Sequence, residues 1–300
     1  MQVAESDTQS SRPHRLFWWK EALIVTAFYL VYSTTRNLFG SNRIAADGVP
    51  EHAFDNAMRV IRWERAIGTY HEESIQEWFL PHRTFLQFWN TYYGVAHFVV
   101  TLGVFIVLFV RRPAVFPQHR NALAVMTAVA IVGFAFFPLM PPRLLDEPCP
   151  AQVPDTEVAF GGACIPSDLR GDDGFGFVDT LVEYGGPWSF DSEAMASISN
   201  QYAAMPSLHI GWSSWCVVAV WPLLRRRWSR VAWLLYPAAT LFCIVVTGNH
   251  YWIDGLGGLL ALGIGIVVGF GLHRWNSERL DRRAMAPGPM APGPMAPGPM

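Results

Sequence analysis

Two histidines mark the chemistry this chain can do. His209 lies in the stretch AMPSLHIGW and His250 in TGNHYWIDGLGG. His250 precedes Asp254 by four residues, so on a helix their side chains share one face. A carboxylate placed there accepts a hydrogen bond from one ring nitrogen. That fixes the tautomer and leaves the other nitrogen free as base, nucleophile or ligand. Ser207 follows Pro206 and precedes an apolar run, which suits a helix N-cap. The first turn behind it would offer free backbone N–H groups at the positive end of a helix dipole, a ready anion site. Arg143, just after PLMPP, can add a bidentate grip on a phosphate. Asn249 and Arg36 stand at the ends of other apolar runs and are further candidates to touch the anion. Such a set points to phosphoryl transfer.

The elements that must position these residues are membrane helices. The chain has 300 residues, of which 51% are hydrophobic and 15% charged. Ordinary soluble domains carry roughly 25% charged residues. Mean hydropathy is +0.21. A net charge of -2 gives no basic face for nucleic acid. Six apolar runs have the length of membrane spans, at about 17–36, 88–110, 121–140, 207–224, 231–248 and 252–272. Alternating polar and apolar segments are absent, which argues against a membrane β-barrel. The expected fold is therefore all-α, a polytopic bundle of about six transmembrane helices.

Orientation follows from the basic residues in the short connections. The N-terminal segment, the loop RRPAVFPQHR, the loop RRRWSR and the C-terminal tail hold 14 of the 22 Lys and Arg residues. With six spans all four segments fall on one side, which is then cytoplasmic. Arg36, Arg143, Ser207, His209, Asn249, His250 and Asp254 all fall on the opposite, extracytoplasmic side. The localisation expected is an integral plasma-membrane protein with both termini inside.

Two long segments lie on the outer side. Segment 37–87 reads as interfacial amphipathic helices, with Phe54, Met58, Ile61 and Arg65 at helical spacing and Ile75, Trp78 and Phe79 following. Segment 141–206 is a loop rich in Gly, Pro and Asp, with 11 acidic residues against Arg143 and Arg170. Its Cys149 and Cys164 are expected to form a disulfide, because that compartment is oxidising. Cys216 and Cys243 fall inside spans and read as small apolar packing residues. The glycines at 255, 257, 258, 265 and 269 suit close helix packing. The organisation expected is a cytoplasmic segment 1–16, a membrane domain 17–272 and a cytoplasmic tail 273–300 that ends in three APGPM repeats.

The motifs resemble a known family. Pro206-Ser207-Leu208-His209 looks like the Pro-Ser-x-His motif of the type 2 phosphatidic acid phosphatase superfamily, and His250-x-x-x-Asp254 like the end of its third motif. The surrounding sequence resembles most the inositolphosphotransferase branch that contains inositol phosphorylceramide synthases. The resemblance implies that His250 is the nucleophile that becomes phosphohistidine and Asp254 its orienting partner. His209 would be the acid and then the base, with Arg143 and Ser207 at the phosphate. It implies no metal and no other cofactor. The chain departs from the family pattern at Phe136, where a lysine is usual, at Leu144 after Arg143, and at Cys243 and Ile244, where Ser-Arg is usual. Arg36 or Asn249 would then stand in at the phosphate.

The function expected is a phosphotransferase on a lipid-linked phosphate. If water is the acceptor, the same chemistry makes a lipid phosphate phosphatase. The competing classes are a zinc hydrolase using His209, His250 and Asp254, which lacks the HEXXH spacing, and a non-catalytic lipid transporter, which would show internal repeats. The partners expected are a phospholipid or lipid phosphate and the bilayer, with no nucleic acid.

Overall fold

The computed structural model describes residues 16–39, 51–145, 169, 175–185 and 202–285. Nine α-helices run through these segments: α1 (Trp18–Phe39), α2 (Glu51–Ile67), α3 (Glu72–Phe79), α4 (Arg83–Arg111), α5 (Phe116–Phe136), α6 (Thr180–Glu183), α7 (Leu208–Val220), α8 (Arg227–Val246) and α9 (Trp252–Met285). Among the described residues the only β pairing is an isolated parallel bridge between Leu139 and Ala203.

A helix covers each of the six apolar runs. Four helices are long and apolar enough to cross a membrane, namely α4, α5, α8 and Trp252–Arg282 of α9. The apolar helix through α7 and its following turn, Leu208–Leu223, is shorter. These helices leave apolar side chains bare along their outer faces: Val99, Leu102, Ile106 and Val110 on α4, Val231, Leu234 and Leu235 on α8, and Leu256, Leu260 and Val267 on α9. In water such faces would be costly, but against lipid tails they are not. The chain is a multi-pass membrane protein.

Inside the bundle, α7 is surrounded by α4, α5, α8 and α9. Its Trp215, Cys216 and Ala219 pack with Val104 and Leu108 of α4, Met126 of α5, and Ala261 and Leu262 of α9. The tightest seam joins α5 and α9. A Cβ at Gly269 would stand 2.5 Å from the Ala122 nitrogen, and one at Gly265 would stand 2.6 Å from the Ala122 oxygen. The two backbones touch there because neither glycine has a side chain. Cys216 and Cys243 are buried thiols, as their place in the apolar runs suggests.

α2 packs against the segment that follows α5 and against the start of α9. Its apolar face does not meet lipid as an interfacial helix would. Phe54, Ala57, Met58 and Ile61 are buried against Leu139, Met140, Phe177, Tyr202 and Tyr251. Helical spacing continues this buried stripe through Glu64, three residues after Ile61, whereas Arg65 is exposed and stacks over the Tyr70 ring. The reason is the second layer supplied by the outer loop, whose residues 175–185 cover α3 and the top of α4. Gln76 exchanges two hydrogen bonds with the Val178 backbone, at 3.0 and 2.8 Å. Asn90 Nδ2 donates to the carbonyls of Thr180 and Gly185. Cys149, Cys164, the acidic residues Asp168, Asp172 and Asp173, and the APGPM tail lie outside the described residues.

Candidate active site

The site begins where α8 ends. Thr247 and Gly248 donate to the carbonyls of Cys243 and Val245, and Asn249 and His250 both donate to Ile244. This closes the helix and reverses the chain. Gly248 takes φ +66°, the left-handed conformation that helix C-termini commonly assign to glycine. A Cβ there would also lie 2.8 Å from Gln76 Nε2 and 3.3 Å from Arg143 Cβ. The turn therefore needs glycine for two separate reasons, and it delivers His250 to the start of α9.

Four residues on, Asp254 sits in the first turn of α9 and is fully buried. Its Oδ2 accepts a hydrogen bond from the Tyr251 N–H at 3.0 Å and meets His250 Nδ1 at 3.2 Å. Tyr251 occupies the cap position, so Asp254 closes its own helix start in the manner of a capping box. A carboxylate can only accept, so the imidazole proton belongs on Nδ1. Nε2 is then a free lone pair.

That lone pair faces α7. Ser207 Oγ lies 3.5 Å from His250 Nε2. Ser207 occupies the N-cap position of α7, but its hydroxyl makes no capping bond. Its backbone N–H donates to the Asp254 carbonyl at 2.9 Å, which fastens α7 to α9. The approach is close: a Cβ on Gly258 would fall 2.3 Å from the Ser207 carbonyl oxygen. With no side-chain cap, the first N–H groups of α7 remain free for an anion.

His209 follows in the same turn, its ring centroid 5.6 Å from that of His250. Tyr93 of α4 stacks on the His209 ring at 4.3 Å, and His97 meets it edge-on at 4.4 Å. His97 Nδ1 is bonded to the Tyr93 carbonyl at 3.1 Å, which holds this wall in place. A mostly apolar groove of about 280 Å³ lies next to it, lined by Phe98, Leu102, Leu123 and Trp212 among others. Phe98 and Trp212 both touch the His97 ring.

Arg143 stands on the other side of the turn. Its backbone N–H donates to the Gly248 carbonyl at 2.7 Å. Its guanidinium is paired with Asp179, which also caps α6. Its Nε is buried and has no acceptor. Asn249 is buried beside His250, and its amide donates to Thr247 Oγ1 at 2.8 Å. Arg36 belongs to the last turns of α1, and its side chain falls outside the described residues.

Six residues named from sequence are thus brought to one end of the bundle: Arg143, Ser207, His209, Asn249, His250 and Asp254. Sequence reasoning missed Tyr93, Asp179, Glu64 and Glu72, which stand behind them. Glu64 carried a signal, since it falls in register with a buried apolar stripe. Asp179 carried none, since its loop reads as solvated. Among the described residues no group of three His, Cys, Asp or Glu side chains is arranged to hold a metal ion.

No curated protein and no solved structure matches the chain. The family model described as the PAP2 superfamily matches residues 58–268, a span that contains these six residues. The chain belongs to the PAP2 superfamily.

Proposed function

For this PAP2 superfamily member we propose phosphoryl transfer from a membrane lipid through a phosphohistidine on His250, at the extracytoplasmic end of six membrane spans. The observation that carries it is the orientation of the His250 ring, with Nδ1 on Asp254 and Nε2 turned toward Ser207 and the start of α7. Nε2 attacks phosphorus and the bond to the lipid oxygen breaks. His209 acts as the acid that gives a proton to that oxygen. Neutral His209 then takes a proton from the acceptor, whose oxygen attacks the phosphohistidine and frees His250. The N–H groups at the start of α7, Ser207 Oγ and the unpaired Nε of Arg143 are the donors for the phosphate oxygens. The groove beside His97 suits the apolar chain of the lipid. Arg36 and Asn249 are the further candidates at the phosphate.

The acceptor sets the name. An alcohol makes the protein an inositolphosphotransferase-like transferase, which the sequence around both motifs favours. Water makes it a lipid phosphate phosphatase. Purified protein is given phosphatidylinositol and a panel of lipid phosphates, with and without alcohol acceptors. A new phospholipid formed only with an acceptor establishes the transferase. Phosphate released without one establishes the phosphatase. Neither product, in an otherwise folded protein, contradicts the proposal.

A further inference from the structure

The first turn of α9 receives an unusual set of acceptors. Trp252 and Ile253 are its first two residues. The Trp252 N–H donates to Glu72 Oε1 at 3.1 Å, and the Ile253 N–H donates to Glu64 Oε1 at 2.9 Å. Helix starts ordinarily take such acceptors from the cap residue. The cap here is Tyr251, whose hydroxyl is used elsewhere, on the Met140 carbonyl at 3.1 Å. The acceptors come instead from α2 and α3, well over a hundred residues earlier in the chain. Both carboxyl groups are fully buried. Glu72 also accepts from the His71 N–H at 3.0 Å.

Glu64 Oε2 is buried and faces no donor group of the protein. Burial chiefly, and then the adjoining Glu72, push the Glu64 carboxyl up to about 10. Both carboxyls sit at the positive end of the α9 dipole. The neighbouring Tyr251 N–H is taken by Asp254, so three carboxyl groups share three consecutive N–H groups of one helix start.

We propose that Glu64 and Glu72 are positioning residues for phosphoryl transfer, a buried carboxyl pair that holds the start of α9 and thereby sets the distance from Asp254 to His250 and from His250 to Ser207. This rests on the reading of His250 as the nucleophile. The pair touches no reacting atom. It acts through the backbone that carries Asp254, and the Asp254 carbonyl in turn anchors Ser207. Loosening the first turn of α9 shifts the couple and the serine together.

The discriminating substitutions are Glu64→Gln and Glu64→Asp in the full-length protein. Glutamine keeps the reach to the Ile253 N–H and is neutral beside Glu72. Aspartate keeps the acid and loses the reach. Two readouts are taken: turnover of dioleoyl phosphatidic acid in detergent micelles, beside His250→Ala, and the imidazole nitrogen resonances of His250 in protein labelled with 15N-histidine. E64Q is expected to keep kcat within about threefold and to keep the wild-type His250 signals. E64D is expected to lose about 10- to 100-fold in kcat, the scale of a small misplacement of reacting groups, at nearly unchanged KM, with shifted His250 signals. Unshifted signals or wild-type kcat in E64D would overturn the proposal, as would greater damage from E64Q than from E64D. Wild-type turnover that survives His250→Ala, or none at all, counts against the phosphohistidine reading instead, and the resonances then decide the role of the pair alone.

Discussion

His250 Nδ1 and the Tyr251 backbone N–H converge on the same oxygen, Oδ2 of Asp254, at 3.2 and 3.0 Å. One carboxylate thus closes the helix and fixes the imidazole. The two tasks cannot drift apart, because the residue that starts α9 is the neighbour of the residue that would attack phosphorus. His250 stands in the turn before α9, and the cap geometry locks its separation from Asp254.

Asp254→Asn keeps size and removes the charge that enforces the Nδ1–H tautomer. An amide in that place can donate to Nδ1 and so turn the free lone pair away from the substrate. We expect kcat to fall about 100- to 10,000-fold with the fold retained, read from turnover and thermal melting of the same preparation.

His209→Gln separates the acid from the nucleophile. An ester of a lipid alcohol needs a proton on its leaving oxygen, whereas a nitrophenyl ester does not. The loss is expected to be about 100- to 10,000-fold for the lipid ester and at least about tenfold smaller for the nitrophenyl ester. Equal losses for the two esters would remove His209 from the acid role.

Gly248→Ala tests the turn that delivers His250. Gly68 provides a control, since it also has a positive φ, +73°, but nothing lies within 4 Å of its Cβ position. Gly68→Ala should cost only backbone strain, about 1–2 kcal/mol. Gly248→Ala should cost about 1–3 kcal/mol more, because the new methyl must displace Gln76 or Arg143. It should also lower activity, which Gly68→Ala should leave alone. Melting temperatures and turnover of the two variants check both statements.

The buried acid pair predicts a pH dependence of stability. Folded Glu64 keeps its proton up to about pH 10, while an unfolded glutamate loses it near 4.5. Between those values the folded state holds the extra proton, so stability falls as pH rises. Glu72 faces Glu64 from α3, and Asp254 and Tyr251 from the start of α9. All three are common to wild type and Glu64→Gln, so the difference isolates Glu64. Raising the pH from about 5.5 to about 8.5 should lower the melting temperature of wild type more than that of E64Q. Parallel curves would contradict a proton on Glu64.

The sequence was most legible where a motif or a period is local. The apolar runs give the helices because a membrane span must be about 20 residues long whatever surrounds it. His250 and Asp254 are paired as the four-residue spacing suggests, but not on one helix face: His250 lies in the turn before α9 and the capping geometry brings it to Asp254. Ser207 was legible as a cap position, but the direction of its hydroxyl was not, since that depends on how closely Gly258 lets α9 approach α7. The apolar stripe of α2 was visible through Ile61, yet its next member was read as Arg65 when the buried residue is Glu64. A glutamate on an apolar face makes sense only once the N–H groups of Trp252 and Ile253 are placed opposite it. Asn90 and Gln76 were illegible for the same reason, since they bond backbone groups that only the folded chain brings near. Asp179 was illegible because its distant partner is the Arg143 guanidinium.

The central claim is that His250 is the nucleophile, and its most direct test is turnover of the lipid-phosphate panel by wild type and by His250→Ala, with both shown to be folded by thermal melting. The account predicts a loss of at least about 1,000-fold in the variant, the scale on which removal of a covalent nucleophile acts. Wild-type turnover in His250→Ala would contradict it.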